Sequence, residues 1–191
     1  MKDKNVLGLI GPVGSGKSIV SNSFIEKYGF YRIMMGNLVR AVAKKENIPI
    51  NRKSLQDLAK RKRKKYGEGY FINIAIDKAK KSKNDRVVID GMRTLTDVVA
   101  TKKELDAKII LVDAKTEIRF NRLKKRRRKG FSKTLKQFEL EEKNEPGYDE
   151  LKKTLKHVDY TLENNTTEPE LHKEISTLMK KLKIKQLSDR K

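Results

Sequence analysis

The stretch Val6-Leu7-Gly8-Leu9-Ile10-Gly11-Pro12-Val13-Gly14-Ser15-Gly16-Lys17-Ser18 decides the fold. Its first five residues are a short apolar strand, and the next eight satisfy the pattern G-x-x-x-x-G-K-[ST]. Gly11, Gly14 and Gly16 let the backbone curl until the loop, with Pro12, Val13 and Ser15 filling it, aims successive N–H groups at phosphate oxygens. Lys17 is placed to reach β- and γ-phosphates, and the Ser18 hydroxyl to hold Mg²⁺. Residues 19–27 continue as a helix, whose positive N-terminal end adds to anion affinity.

Working outward, apolar runs predict further strands at Phe30 to Met34, Arg86 to Asp90, Lys108 to Asp113 and Tyr160 to Glu163. Helical stretches lie between them: Gly16 to Lys27, Asn37 to Glu46, Ser54 to Lys65, Tyr70 to Lys81, Thr96 to Leu105, Thr116 to Lys129 and Glu168 to Lys183. Strands alternating with helices specify an α/β fold, a parallel sheet covered on both faces. A βαβ crossover needs one helix. The fifty or so residues before Arg86 hold more than that, which predicts a helical insertion over the ligand edge of the sheet.

The chain has 191 residues, which fits a single domain over 1–191. With no cysteine, disulfides, thiolate metal sites and cysteine nucleophiles are excluded together. His157 and His172 are too few for a histidine-built zinc site or triad. No apolar run approaches a membrane span, and Met1-Lys2-Asp3-Lys4 leads straight into a strand rather than a signal peptide, so a cytoplasmic protein with no membrane partner is expected. Lysine and arginine total 47 against 25 acids, a net charge of +22. That field attracts nucleotides and nucleic acid alike. The runs Lys60 to Lys65 and Lys124 to Lys129 could contact RNA, or could simply be solvated faces. Lysines outnumber arginines 34 to 13, so the arginines are the more informative positions.

Two acids end apolar strands and compete as the magnesium-side carboxylate. Asp113 follows Ile109 to Val112; Asp90 follows Val87 to Ile89 and is preferred because Gly91 and Arg93 come next. Glycine there admits a ligand, and Arg93 is within reach of a bound phosphate. Arg119, Arg122 and Arg126 recur at i, i+3 and i+7 on one helix face. Such a stripe suits a lid that neutralises charge during phosphoryl transfer. Arg40, a turn beyond Met35-Gly36-Asn37, is placed for an acceptor phosphate.

Together these pieces resemble the nucleoside monophosphate kinase superfamily of P-loop proteins. The likeness is greatest to an archaeal group related to AMP and CMP kinases and called dephospho-coenzyme-A-kinase-like. It rests on Gly8 to Ser18, Met35 through Arg40, Asp90 to Arg93, the Arg119/Arg122/Arg126 series and Val158 to Asn165. The resemblance implies a five-stranded parallel sheet in order 2-3-1-4-5, an acceptor-binding helical subdomain over 36–82 and a lid over 122–136. It implies ATP as donor with Mg²⁺ held by Ser18 and Asp90. Gly36, Arg40, Arg63 and Arg93 would serve the acceptor phosphate, while Lys17, Arg119, Arg122 and Arg126 would serve the donor phosphates. Asn165 would lie beside the donor base. Two departures stand out: Asn37 where the group has aspartate, and Lys129-Gly130-Phe131-Ser132 where it has an acidic pair. The expected reaction is phosphoryl transfer to a nucleoside monophosphate or similar nucleotide-like acceptor. Dephospho-coenzyme A as acceptor and an RNA- or ribosome-associated NTPase switch are the alternatives.

Overall fold

The computed structural model describes residues 4–126, 134–144 and 147–189. Five parallel strands form one sheet: β1 (Asn5–Ile10), β2 (Tyr31–Met34), β3 (Arg86–Asp90), β4 (Lys108–Asp113) and β5 (Tyr160–Glu163), in the order β2-β3-β1-β4-β5. This is the 2-3-1-4-5 order expected. Parallel pairing sets Leu9 against Asp90 and Ile10 against Leu111, so β1, β3 and β4 end at one edge.

The alternation in β1 explains the layering. Val6 and Ile10 face one side and Leu7 and Leu9 the other, as successive strand residues must. On the first side, Ile33, Val87, Ile89 and Ile109 meet α2 (Met35–Lys45), α4 (Tyr70–Lys81) and α5 (Leu95–Leu105) through Leu38, Phe71, Ile72, Ala75 and Val98. On the second, Val88, Ile110 and Val112 meet α1 (Lys17–Tyr28) and α9 (Glu168–Lys181) through Val20, Phe24, Leu171, Ile175 and Met179. β1, β3 and β4 are buried on both faces, which is why they read as unbroken apolar runs rather than alternating ones.

Between β2 and β3 the chain forms α2, α3 (Arg52–Tyr66) and α4, the excess of helix that the spacing demanded. Asn51 caps α3, its Oδ1 accepting from the Ser54 N–H at 3.0 Å. After β4 come α6 (Thr116–Lys125), α7 (Leu135–Lys143) and α8 (Gly147–Thr154). Sequence periodicity did not mark α7 or α8. Phe120, Leu123 and Phe138 form a small separate core between α6 and α7. Of the span 122–136 expected as a lid, residues 127–133 lie outside the described residues, as does the expected run of α6 on to Lys129. Among the described residues, no helix is long and apolar enough to cross a membrane.

Candidate active site

The turn after β1 is wound as its glycines require. Gly11, Gly14 and Gly16 all have positive φ (143°, 83° and 99°), a region costly for residues with a Cβ. The crowding differs by position. A Cβ on Gly11 would overlap the Val112 carbonyl oxygen, whereas one on Gly91, also at positive φ (87°), would meet nothing within 4 Å. Gly91→Ala is therefore expected to cost about 1–2 kcal/mol, the conformational term alone. Gly11→Ala should cost distinctly more, because β1 and β4 must separate to admit it. Denaturant unfolding of the two variants compares them, and equal losses would contradict this steric account.

α1 starts at Lys17 on a left-handed Gly16. The first N–H groups of a helix have no acceptor within it, so Lys17 and Ser18 present theirs to the turn. Ser18 is exposed at the mouth. The Lys17 ammonium donates to the Gly11 carbonyl at 2.6 Å and to that of Pro12 at 2.7 Å, bending back over its own loop. Burial lowers its pKa from 10.5 to about 8, partly opposed by the Asp90 charge and reinforced by those of Arg93 and Arg119. These four side chains, brought from the start of α1, the end of β3 and the loop after it, and the middle of α6, therefore share one field.

Asp90 ends β3 and is buried, and its carboxyl is held above the usual carboxylate range by that burial. A hydrogen bond from Ser21 and the charges of Lys17 and Arg32 pull the other way. Asp113, the rival acid, ends β4, is exposed and accepts from the Ala114 N–H at 2.8 Å. The loop after Asp90 is pinned by the cap of α5. Asp97 Oδ2 accepts from the N–H groups of Arg93 (3.0 Å) and Thr94 (3.1 Å), and Thr94 Oγ1 accepts from Asp97 N–H.

The arginine stripe of α6 does not act as one unit. Arg119 is buried: it donates through Nε to the Ala114 carbonyl (2.9 Å), through Nη1 to that of Val13 (3.3 Å), and by both terminal nitrogens to Glu142 of α7. Arg122 donates to Asn164 Oδ1 at 2.9 Å, while its Nη1 is buried with no hydrogen-bond partner. Burial, with Arg126 beside it, lowers the Arg122 pKa. Arg126 is exposed at the end of α6. Asn164 in turn donates through Nδ2 to the Ser15 carbonyl at 2.8 Å, joining α6 to the phosphate turn. Asn165 accepts from the Lys115 N–H at 2.8 Å and so steadies the turn after β4.

On the insertion side, Arg40 lies over Gly36 and donates to Asn37 Oδ1 at 2.8 Å. The Arg63 Nε is buried without a hydrogen-bond partner, and its charge reaches Glu150 of α8. Glu150 also accepts from the Leu95 N–H at 3.2 Å, which ties α8 to the start of α5. Lys62, from the basic run of α3, pairs with Glu46 and lies over the rings of Tyr66 and Tyr70. Sequence reasoning missed Ser21, Arg32, Glu142 and Glu150. Each meets its partner across the fold, where no local spacing could announce it.

Residues 10–138 match the family model described as an AAA domain. The chain belongs to this AAA-domain P-loop family. A UPF0200 protein of Staphylothermus marinus is 30% identical over 94% of this chain and 93% of its own length. Among solved structures, a gluconokinase from Sinorhizobium meliloti superposes with a TM-score of 0.59 at 14% identity, covering 96% of this chain and 98% of that one. Shikimate kinase from Bacteroides thetaiotaomicron gives 0.57 at 15%, covering 94% and 98%. At such identities the likeness is one of fold. This AAA-domain chain thus has the P-loop kinase-like architecture.

Proposed function

We propose that this chain is an Mg²⁺-dependent phosphotransferase moving the γ-phosphoryl group of ATP to a nucleoside monophosphate or similar nucleotide-like acceptor. The observation that carries the reading is Lys17. Its ammonium is bent onto two carbonyls of its own loop, within the field of Asp90, Arg93 and Arg119. A cation kept in that position has a weak grip on neutral carbonyls and a far stronger one on phosphate oxygens.

An exposed serine hydroxyl and a carboxylate beside the lysine are hard oxygen donors suited to Mg²⁺. Among the described residues no group of three or more His, Asp or Glu side chains forms a protein-only metal cage. Two such donors would leave the rest of the ion's shell to water and the phosphates of a nucleotide. Ser18 and Asp90 would hold it, and when bound it neutralises charge on the transferring group. The turn from Gly11 to Ser18 would seat the donor, Lys17 would draw charge from its β- and γ-phosphates, and Arg122 and Arg126 would approach from α6. Gly36, Arg40, Arg63 and Arg93 would orient an acceptor oxygen toward the γ-phosphorus, Asn165 would flank the donor base, and the span 122–136 would close over the site. An acceptor oxygen bonds to the γ-phosphorus as the β–γ bridging oxygen leaves on ADP. Positioning and charge neutralisation are the main work.

ADP release from Mg²⁺-ATP, measured across AMP, CMP, UMP, GMP, dephospho-coenzyme A, shikimate and gluconate, tests this. One monophosphate is expected to raise turnover well above basal hydrolysis. Stimulation by dephospho-coenzyme A alone moves the assignment to that acceptor. Stimulation by shikimate or gluconate alone overturns the nucleotide reading, and stimulation by none overturns the kinase.

A further inference from the structure

The carboxylate of Asp90 is not left to find its own orientation. Ser21, fully buried one turn beyond Ser18 on the same face of α1, acts on it, its hydroxyl opposing the upward pull of burial on the carboxyl. Arg32 lies beneath them. It is opposite Val88 in the β2–β3 register, and Asp90 is two residues further along β3, so Arg32 and Asp90 project from the same face of the sheet, the one α1 covers. From there Arg32 Nη1 donates to Ser21 Oγ at 3.3 Å and to Asn22 Oδ1 at 2.9 Å, and its charge reaches Asp90. The hydroxyl of Ser21 therefore accepts from the guanidinium, which leaves its proton for the carboxylate side.

We propose that Ser21 and Arg32 are positioning residues that fix the Asp90 carboxylate for Mg²⁺, relayed through the Ser21 hydroxyl. The inference rests on the reading of Asp90 as the magnesium-side carboxylate. A guanidinium that bonds the hydroxyl sets the direction of its proton, leaving it one way to point. Ser21 would then take one carboxylate oxygen and leave the other for the ion. Such outer partners of a ligand commonly govern metal affinity without touching the metal. Asn22, the second anchor of Arg32, keeps the guanidinium from swinging toward Asp90 and competing with the ion for it.

Calorimetric titration of ATP, with Mg²⁺ and separately with EDTA, into the whole protein and its variants decides the matter. Asp90→Asn is expected to remove the gain in ATP affinity that Mg²⁺ confers. Ser21→Ala and Arg32→Met should each reduce that gain by about 10-fold, with metal-free ATP affinity unchanged. Arg32→Lys keeps the charge but not the fork, and should lie between Arg32→Met and the unmodified protein. If Asp90→Asn retains the gain, the reading of Asp90 itself fails. If Asp90→Asn loses it while Ser21→Ala and Arg32→Met keep it, the relay fails and the reading of Asp90 stands. Equal losses with and without Mg²⁺ would show a merely structural role and overturn the proposal. Should Ser21→Ala not fold, the two Arg32 variants carry the same comparison.

Discussion

Replacing Lys17 by alanine is expected to weaken ATP binding by about 10- to 150-fold, the range for losing a hydrogen bond to a charged group, and to leave the fold intact. The ammonium is buried against two carbonyls, and burial is what lowers its pKa to about 8. The folded protein thus bears a cost for keeping this lysine charged, and truncation removes it. The sign in pH follows. Because the folded pKa lies below the unfolded one of 10.5, the unfolded chain binds more protons between pH 8 and 10.5. Lys17 then makes stability rise with pH across that window. Ligand binding works in reverse. A triphosphate beside the ammonium favours its charged form and raises the pKa again. At pH 8, where Lys17 in the free protein is about half protonated, ATP binding should take up about half a proton. Above pH 8 affinity should fall. Calorimetry of ATP binding at pH 8 in buffers of different ionisation enthalpy measures the uptake. A buffer-independent enthalpy, or an uptake that persists in Lys17→Ala, would remove Lys17 from the phosphate site.

The contrast between β1 and α7 shows where the sequence stops being informative. β1, β3 and β4 are legible because each is a short, β-branched apolar run flanked by polar residues, and too short for a helix; β2 and β5, with Arg32 and Glu163 in them, are legible from their place in the alternation. The phosphate turn is legible because three glycines at fixed spacing answer three positive-φ positions. α7 and α8 are not. Leu135–Lys143 buries Phe138 and exposes Leu140, and Gly147–Thr154 has Leu151 as its main apolar contact. Neither has enough apolar residues to show a helical period. The arginine series shows a subtler limit. A spacing of i, i+3 and i+7 does place side chains on one face, but it says nothing of what that face meets. Here Arg119 meets a carboxylate twenty-three positions on, Arg122 meets Asn164, and Arg126 meets solvent. Asp97 is a similar case. Its sequence offers no paired acid, yet its carboxylate shapes the loop that holds Arg93.

Arg119 carries the second large expectation. Its guanidinium and the Glu142 carboxylate are paired at both ends, with side chains 6% and 16% exposed. Breaking a buried pair by removing one partner leaves an uncompensated charge, and typically costs about 3–5 kcal/mol. Arg119→Met is expected to reach that range, because it also releases the carbonyls of Val13 and Ala114. For a chain of this size the loss corresponds to a fall in melting temperature of about 10 °C. Glu142→Leu should cost less, since those two carbonyls still engage the stranded guanidinium. The pair Arg119→Met with Glu142→Leu should melt higher than Arg119→Met alone, because neither charge is then buried unpaired. Thermal melts of the three variants test the cycle, and additive losses would mean the two groups do not depend on each other. The consequence for the site is mechanical. Whatever draws Glu142 away leaves Arg119 beside the phosphate turn without its carboxylate partner. If Arg119 serves the donor phosphates as proposed, a bound triphosphate and Glu142 compete for the same guanidinium. Glu142→Gln, which keeps the shape and removes the charge, should therefore bind ATP more tightly than the unmodified protein even as it loses stability. Unchanged or weaker binding would show that Arg119 serves the fold alone.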